Sequence, residues 1–143
     1  MILFSAVDFM SKSGYPKNEG ARGEYVQQFI YRLPKKNHEA IMKIQKQFND
    51  IFRKHGVKNR EVFHLSDTET AAPFINIANT ILSNQNEEEV LTALVYYRDR
   101  RHRDDLVLKI QNDENYRSIL QEFKDLLTLQ SGIIIGEFSR LKV

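Results

Sequence analysis

Side chains alternate between two sets through residues 25–33, and aromatic and β-branched residues are frequent in this stretch. A two-residue period of this kind is typical of a β-strand whose two faces meet different surroundings. Pro34 follows directly and has no backbone N–H to give to a neighbouring strand. The pattern therefore predicts a first strand that ends at Pro34.

After this strand the apolar positions recur every three or four residues, which indicates a helix with one apolar side. They are Ile41, Ile44, Phe48, Ile51 and Phe52. Asn37 stands where a side-chain oxygen can cap a first helical turn, and Gly56 stands where such a helix stops. We therefore predict a helix that is capped by Asn37 and ended by Gly56.

Three further strands are predicted from apolar or alternating runs at residues 57–65, 90–98 and 133–138. An insertion at residues 66–89 separates the first two of them. In it Pro73 is expected to open a short helix, and Glu87 to Glu89 are expected to form a solvated turn. A helix over residues 99–111 and a second helix ended by Gly132 precede the last strand. The order is βαβ, an insertion, and βαβ.

This order is that of the ferredoxin-like α+β fold, in which a four-stranded antiparallel sheet carries both helices on one face. The free face of such a sheet is polar when the protein is a monomer. Here Leu94 and Tyr96 in the third strand, with Ile134 and Phe138 in the last, make that face apolar as well. We therefore expect a homodimer in which two helix-free sheet faces pack together as a dimeric α+β barrel.

Two segments of the chain offer an alternative cover for this face. Residues 1–23 begin with an apolar run and continue as a glycine-containing loop, so they are expected to form an arm or extra strand. The barrel domain itself is expected to span residues 24–143. The insertion at residues 66–89 is the other segment that can cover the face.

Composition narrows the function classes. A length of 143 residues fits one domain, and the absence of cysteine excludes disulfides, thiol catalysis and cysteine metal sites. A net charge of +2 is too small to indicate a nucleic-acid partner. No apolar run is long enough for a membrane helix. We expect a cytoplasmic protein that binds neither nucleic acid nor a membrane.

Several short motifs resemble the YbaA-like family of small uncharacterised bacterial proteins. Residues 33–40, Leu-Pro-Lys-Lys-Asn-His-Glu-Ala, and residues 52–56, Phe-Arg-Lys-His-Gly, carry the first part of the resemblance. It resumes at residues 74–90 and ends at residues 135–138, so it does not include residues 1–23. The resemblance implies the dimeric α+β barrel fold, and the family supplies no settled activity.

The chain departs from the family pattern at polar positions. The family has an Asp-Gly pair where this chain has Gln27 and Gln28, and it has Trp and Glu where this chain has Val95 and Tyr97. No ligand site is therefore carried over from the family.

Residues suited to catalysis are few. His64 stands at the end of the second predicted strand, near Glu61 and Asp67, and an imidazole there can act as a general base. Tyr31 and Tyr97 can line a pocket in the barrel and donate phenolic hydrogen bonds. The ordinary alternatives are an exposed histidine and packed tyrosines. The histidines lack metal-binding spacing, and phosphate loops and dinucleotide fingerprints are absent, so neither a metal nor a cofactor is expected.

The sequence thus favours a small homodimeric binding or accessory protein, with a small organic molecule between sheet and helices as its ligand. The alternative is an enzyme, either a cofactor-independent monooxygenase or a small isomerase of the same superfamily, and a purely structural interaction module is the third possibility. Fold alone does not choose among them. A ligand-sized cavity shared by His64 and one of the two tyrosines would favour the enzyme.

Overall fold

The computed structural model describes residues 23–81, 86–128 and 132–143. Its strands are β1 (Tyr25–Pro34), β2 (Asn59–His64), β3 (Glu88–Tyr97) and β4 (Ile134–Ser139). Its helices are α1 (His38–Lys54), α2 (Ile77–Ile81), α3 (Arg100–Gln111) and α4 (Glu114–Leu126), and a 3-10 turn (Lys35–Asn37) leads into α1. None of the helices in these ranges is long and apolar enough to cross a membrane. The predicted arm lies, except for Gly23, outside the described residues.

The four strands form one sheet in the order β2–β3–β1–β4, and each neighbouring pair is antiparallel. The central pair, β1 and β3, is in register from Tyr25 opposite Tyr97 to Pro34 opposite Glu88. Strands β2 and β4 are the two edges. This is the strand order of the ferredoxin-like arrangement, so the predicted α+β fold class is confirmed.

Odd-numbered residues of β1 and β3 form the face of the sheet that meets the helices. The predicted apolar side of α1 packs there, with Ile41 and Phe48 in one buried cluster with Tyr31 and Leu91. Helix α4 adds Phe123, whose ring meets that of Tyr31 edge-on with 4.9 Å between the centroids. The sheet and the pair α1 and α4 therefore enclose the main core.

The opposite face carries the even-numbered residues of β1 and β3, and we call it the helix-free face. Phe63, Ile134 and Phe138 lie on it with 48%, 48% and 53% of their surfaces exposed. The insertion lies at one end of it, because Arg32 Nη1 donates to the carbonyl oxygen of Ile81 at 2.7 Å. Within the described residues, the insertion therefore leaves Phe63, Ile134 and Phe138 about half exposed on this face.

Asn37 stands at the predicted N-cap position of α1, but its side chain does not cap the helix. It makes no hydrogen bond to the first turn of α1, which follows directly on the 3-10 turn. Its Nδ2 instead donates to the carbonyl oxygen of Leu126 at 2.9 Å. Carbonyl groups at a helix end lack partners within the helix. Asn37 therefore ties the start of α1 to the end of α4.

Three predicted boundaries differ from the structure. Helix α4 ends at Leu126 rather than at Gly132, because Leu127 already has extended backbone angles. Helix α2 begins at Ile77 rather than at Pro73. Asn76 directly precedes it, and its Oδ1 accepts a hydrogen bond from the backbone N–H of Ala78 at 2.9 Å. The predicted solvated turn is wrong at Glu88 and Glu89, which begin β3 and are each only 8% exposed.

Candidate functional site

A cavity of about 260 Å³ lies between the sheet and the helices α1 and α4. Its walls are mainly aromatic and aliphatic, with Phe29, Phe48, Phe52, Phe123, Leu120 and Ile135 among the lining residues. Three polar side chains, Tyr31, Arg60 and Tyr116, also line it. Side chains therefore do not fill the whole interior between sheet and helices.

Arg60 brings a positive charge into this apolar space from the edge strand β2. Its Nη1 donates to Asn49 Oδ1 and its Nη2 to Gln45 Oε1, both at 2.7 Å. Its Cζ lies 5.4 Å from the ring centroids of Phe48 and of Phe52, within the range of cation–π attraction. Burial lowers the pKa of Arg60, but a guanidinium in a protein stays charged.

Tyr31 is held by the same amide as Arg60. Gln45 Nε2 donates to the Tyr31 hydroxyl oxygen at 2.6 Å, while Gln45 Oε1 accepts from Arg60. Burial raises the pKa of Tyr31 to about 12, so at neutral pH the hydroxyl keeps a proton that it can donate. Of the three residues predicted from the sequence, Tyr31 is the one that lines the cavity.

Tyr97 lies in a different network. Its ring is fully buried, and its hydroxyl donates to Gln27 Oε1 at 3.0 Å. Gln27 Nε2 in turn donates to Glu137 Oε2 at 2.9 Å, and Arg103 pairs with the same carboxylate. Burial raises the pKa of Tyr97, and its hydroxyl proton already has an acceptor. This arrangement suits a structural role in the core.

His64 lies in a second recess, of about 330 Å³, outside the cavity. Its Nε2 is 2.9 Å from Glu89 Oε1, and His38 Nδ1 is 2.6 Å from Glu89 Oε2. The Glu89 side chain is only 7% exposed, whereas that of His64 is 52% exposed. Two histidines from α1 and β2 thus share one buried carboxylate, and among the described residues no group of three acidic, histidine or cysteine side chains could hold a metal ion.

The cavity and the recess share a polar wall. Gln45 and Asn49 line the recess, and both accept hydrogen bonds from Arg60, which lines the cavity. His64 and Tyr31 are therefore on opposite sides of this wall. In the described part of the chain, the cavity holds Tyr31 without His64, and the recess holds His64 without Tyr31 or Tyr97.

Sequence reasoning missed Arg60 as a site residue, although a signal for it was present. The alternation in β2 puts Arg60, Val62 and His64 on one face, and the ladder with β3 turns that face toward the helices. A cation at an inward-facing position of a strand calls for a partner or a ligand. His38 and Glu89 had no such signal, because they are distant in sequence and meet only through the docking of α1 on the sheet.

The sequence profile of the DUF1428 family, described as a protein of unknown function, matches residues 24–125 of the chain. This range includes β1, α1, β2, β3 and α3, and with them Tyr31, Arg60 and His64. A comparison with curated proteins gives no match.

Solved structures with a similar fold include SnoaB from Streptomyces nogalater, a cofactor-independent oxygenase crystallised as a mutant. It has 9% sequence identity and a TM-score of 0.52, and the alignment covers 85% of this chain and 97% of that one. Atu4242 from Agrobacterium tumefaciens has 14% identity, a TM-score of 0.50 and coverage of 82% and 96%. Rv0793 from Mycobacterium tuberculosis has 14% identity, a TM-score of 0.50 and coverage of 83% and 97%. At such identities the similarity shows the α+β fold alone.

Proposed function

We propose that this chain, which belongs to the DUF1428 family of proteins of unknown function, is a homodimeric α+β barrel protein that binds a small organic ligand between its sheet and its helices. The cavity of about 260 Å³ carries this proposal. Ligand sites are typically concave, mostly apolar and supplied with a few polar groups. A pocket for a drug-sized ligand is larger, from roughly 300 Å³ upward, so we expect a smaller molecule here.

A cavity-filling variant tests the binding site directly. Ala93 lines the cavity from β3 and is 1% exposed, so Ala93→Leu puts three more carbon atoms into the space where the ligand would lie. Ala40→Leu is the matched control, because Ala40 is exposed on α1. Native mass spectrometry of the purified proteins should show a small-molecule adduct on the native chain and on Ala40→Leu, and none on Ala93→Leu.

Circular dichroism and thermal melts are needed alongside, because overpacking a core costs about 1–3 kcal/mol. The binding proposal fails if a folded native protein carries no adduct and takes up no member of a library of small organic compounds. It also fails if a folded Ala93→Leu binds the same compound with unchanged affinity.

Self-association is the second part of the proposal. The helix-free face exposes Phe63, Ile134 and Phe138 in the described part of the chain, and a second copy of the same face can cover them without any other partner. The narrower grouping with YbaA-like proteins, the cytoplasmic location and the absence of nucleic-acid and membrane partners also stay predictions of the sequence.

An enzymatic function, as a cofactor-independent oxygenase or a small isomerase, is the second candidate. Either reaction can proceed through a carbanion or enolate, and Arg60 and Tyr31 both line the cavity where such a charge would develop. Hydrogen-bond donors that are already in place before the reaction stabilise the negative charge as it develops. His64 lies in the other recess, so it is not the base that this reaction would require.

Exchange of hydrogen for deuterium tests this candidate without a known substrate. Carbonyl compounds that fit the cavity are incubated in D₂O with the native protein or with Arg60→Gln. Proton NMR then follows the loss of the C–H signal from the carbon next to the carbonyl. Faster exchange with the native protein alone would support an enzyme. Equal exchange with both proteins and with buffer would leave binding as the function.

A further inference from the structure

The positive charge of Arg60 is not neutralised by any carboxylate in the described residues. Its two described hydrogen bonds go to the side-chain amides of Asn49 and Gln45, and its other close neighbours are the rings of Phe48 and Phe52. All four partners are neutral. The cavity wall therefore carries a net positive charge.

Such a charge is unusual at an inward-facing position of a small protein. Charged side chains taken out of water are normally paired with an opposite charge, because amides and ring faces replace only part of the lost hydration. Burial lowers the pKa of Arg60 for the same reason. An anion that enters the cavity would supply the missing partner.

The polar groups at this wall also offer donors rather than acceptors. The amide oxygens of Gln45 and Asn49 already accept from Arg60, and the Tyr31 oxygen already accepts from Gln45. The Tyr31 hydroxyl proton has no acceptor among the described residues. Because Gln45 bonds to both, the Arg60 guanidinium and the Tyr31 hydroxyl lie within the span of one amide, which suits a ligand that only accepts hydrogen bonds.

The remaining walls indicate what the rest of the ligand is like. Apart from the ring and hydroxyl of Tyr116, these walls are apolar. Phe29, Phe123, Leu120 and Ile135 have no side-chain group that can form a hydrogen bond. Inorganic phosphate or sulfate would leave its outer oxygens against these apolar walls without donors. An organic body would instead exchange water for apolar contact.

We propose that the ligand is a small organic anion, whose carboxylate or enolate oxygens accept hydrogen bonds from Arg60 and Tyr31 while its apolar or aromatic body lies against Phe29 and Ile135. This inference rests on the proposed function, since it requires that the cavity be a binding site. To that proposal it adds that the ligand is negatively charged and that Arg60 recognises this charge.

Pairs of acids and their isosteric amides test the charge separately from the shape. We would titrate the native protein with benzoate, phenylacetate and hexanoate, and with benzamide, phenylacetamide and hexanamide, and follow amide shifts by two-dimensional NMR. A hydrogen bond to a charged group predicts that the best acid binds roughly tenfold to a hundredfold more tightly than its amide. Arg60→Gln should abolish this preference by weakening the acid, and should leave the amide within about twofold.

Arg101→Gln is the matched control, because it changes the net charge equally at an exposed position of α3, and it should keep the preference. Equal binding of acids and amides by the native protein would overturn this inference and leave the binding proposal intact. Persistence of the preference in Arg60→Gln would overturn the role of Arg60. Failure of all six compounds to bind would overturn this inference, whereas the binding proposal is decided separately by the adduct and library experiments on the native protein. The comparison on the native protein needs no variant, so it holds even if Arg60→Gln does not fold.

Discussion

Replacing Phe138 with glutamate tests whether the helix-free face joins two copies of this chain. Phe138 lies on that face opposite Val26 in the ladder between β1 and β4, and 53% of its surface is exposed. A Cβ built on Gly136 would come within 3.0 Å of two carbons of its ring. The ring therefore lies over the neighbouring position of the sheet, where a second sheet would meet it.

The size of the effect follows from the exposed surface. A phenylalanine buries on the order of 200 Å², and the exposed half of Phe138 leaves about 100 Å² of that for an interface. At ~25 cal/mol per Å² this is worth about 2.5 kcal/mol per protomer. A two-fold interface uses each contact twice, so the dimer of the variant should lose about 5 kcal/mol of association free energy. Its Kd should therefore rise by roughly three to four orders of magnitude.

Sedimentation velocity over the micromolar range measures this change. Leu108→Glu is the matched control, because Leu108 is 62% exposed but lies on α3, away from the helix-free face. The native protein and Leu108→Glu should sediment as dimers, and Phe138→Glu should sediment as a folded monomer. A native protein that is monomeric in this range, or a Phe138→Glu dimer with unchanged Kd, would refute the reasoning.

Two further predictions concern buried carboxylates. Glu89→Gln removes the carboxylate that His38 and His64 share. The free energy of unfolding, measured in urea, should fall by about 1–3 kcal/mol. Glu87→Gln is the control at an exposed neighbouring position and should leave this free energy unchanged. His55 and Lys54 hold the pKa of Asp113 well below its usual range, and Asp113→Asn removes these ion pairs while keeping a side chain that can cap α4. The ionised Asp113 contributes its full stabilisation above its unfolded-state pKa of about 4, and this contribution is lost as the pH falls through the lower folded-state pKa. The native protein should therefore be more stable than Asp113→Asn at neutral pH. In acid the stabilities of the two proteins should converge.

Each of these predictions has an outcome that contradicts it. Equal urea midpoints for Glu89→Gln and the native protein would mean that the shared carboxylate adds nothing to stability. A gap between Asp113→Asn and the native protein that stays constant from neutral to strongly acidic pH would rule out the pairing of Asp113 as its cause. Asp50→Asn, in an exposed ion pair with Arg53, is the control and should show little difference at any pH.

Local periods were sufficient to predict the elements themselves. The alternation after Glu24 predicted β1 and its end near Pro34, and the spacing from Ile41 to Phe52 predicted the side of α1 that packs on the sheet. Both patterns are carried by residues close in sequence, so no distant contact is needed to recognise them. The order of these elements was then enough to predict the α+β class.

Element ends were harder to predict, because distant partners decide them. Asn37 has a side chain suited to capping a helix, but its amide donates instead to a carbonyl oxygen in the last turn of α4. Glu88 and Glu89 are residues typical of a solvated turn, but both pair with the end of β1, at Pro34 and Leu33, and so belong to the sheet. In each case a contact from elsewhere in the chain outweighs the local preference.

The candidate site shows the same division. Periodicity along the chain was enough to predict the strands, the main helices, the fold class and Tyr31 as a pocket candidate. No local pattern showed that Arg60 shares Gln45 with Tyr31 at a cavity, or that His64 meets His38 at Glu89 instead. A hydrophobic period is a property of neighbours along the chain, whereas these contacts depend on strand register and on how α1 docks across the sheet.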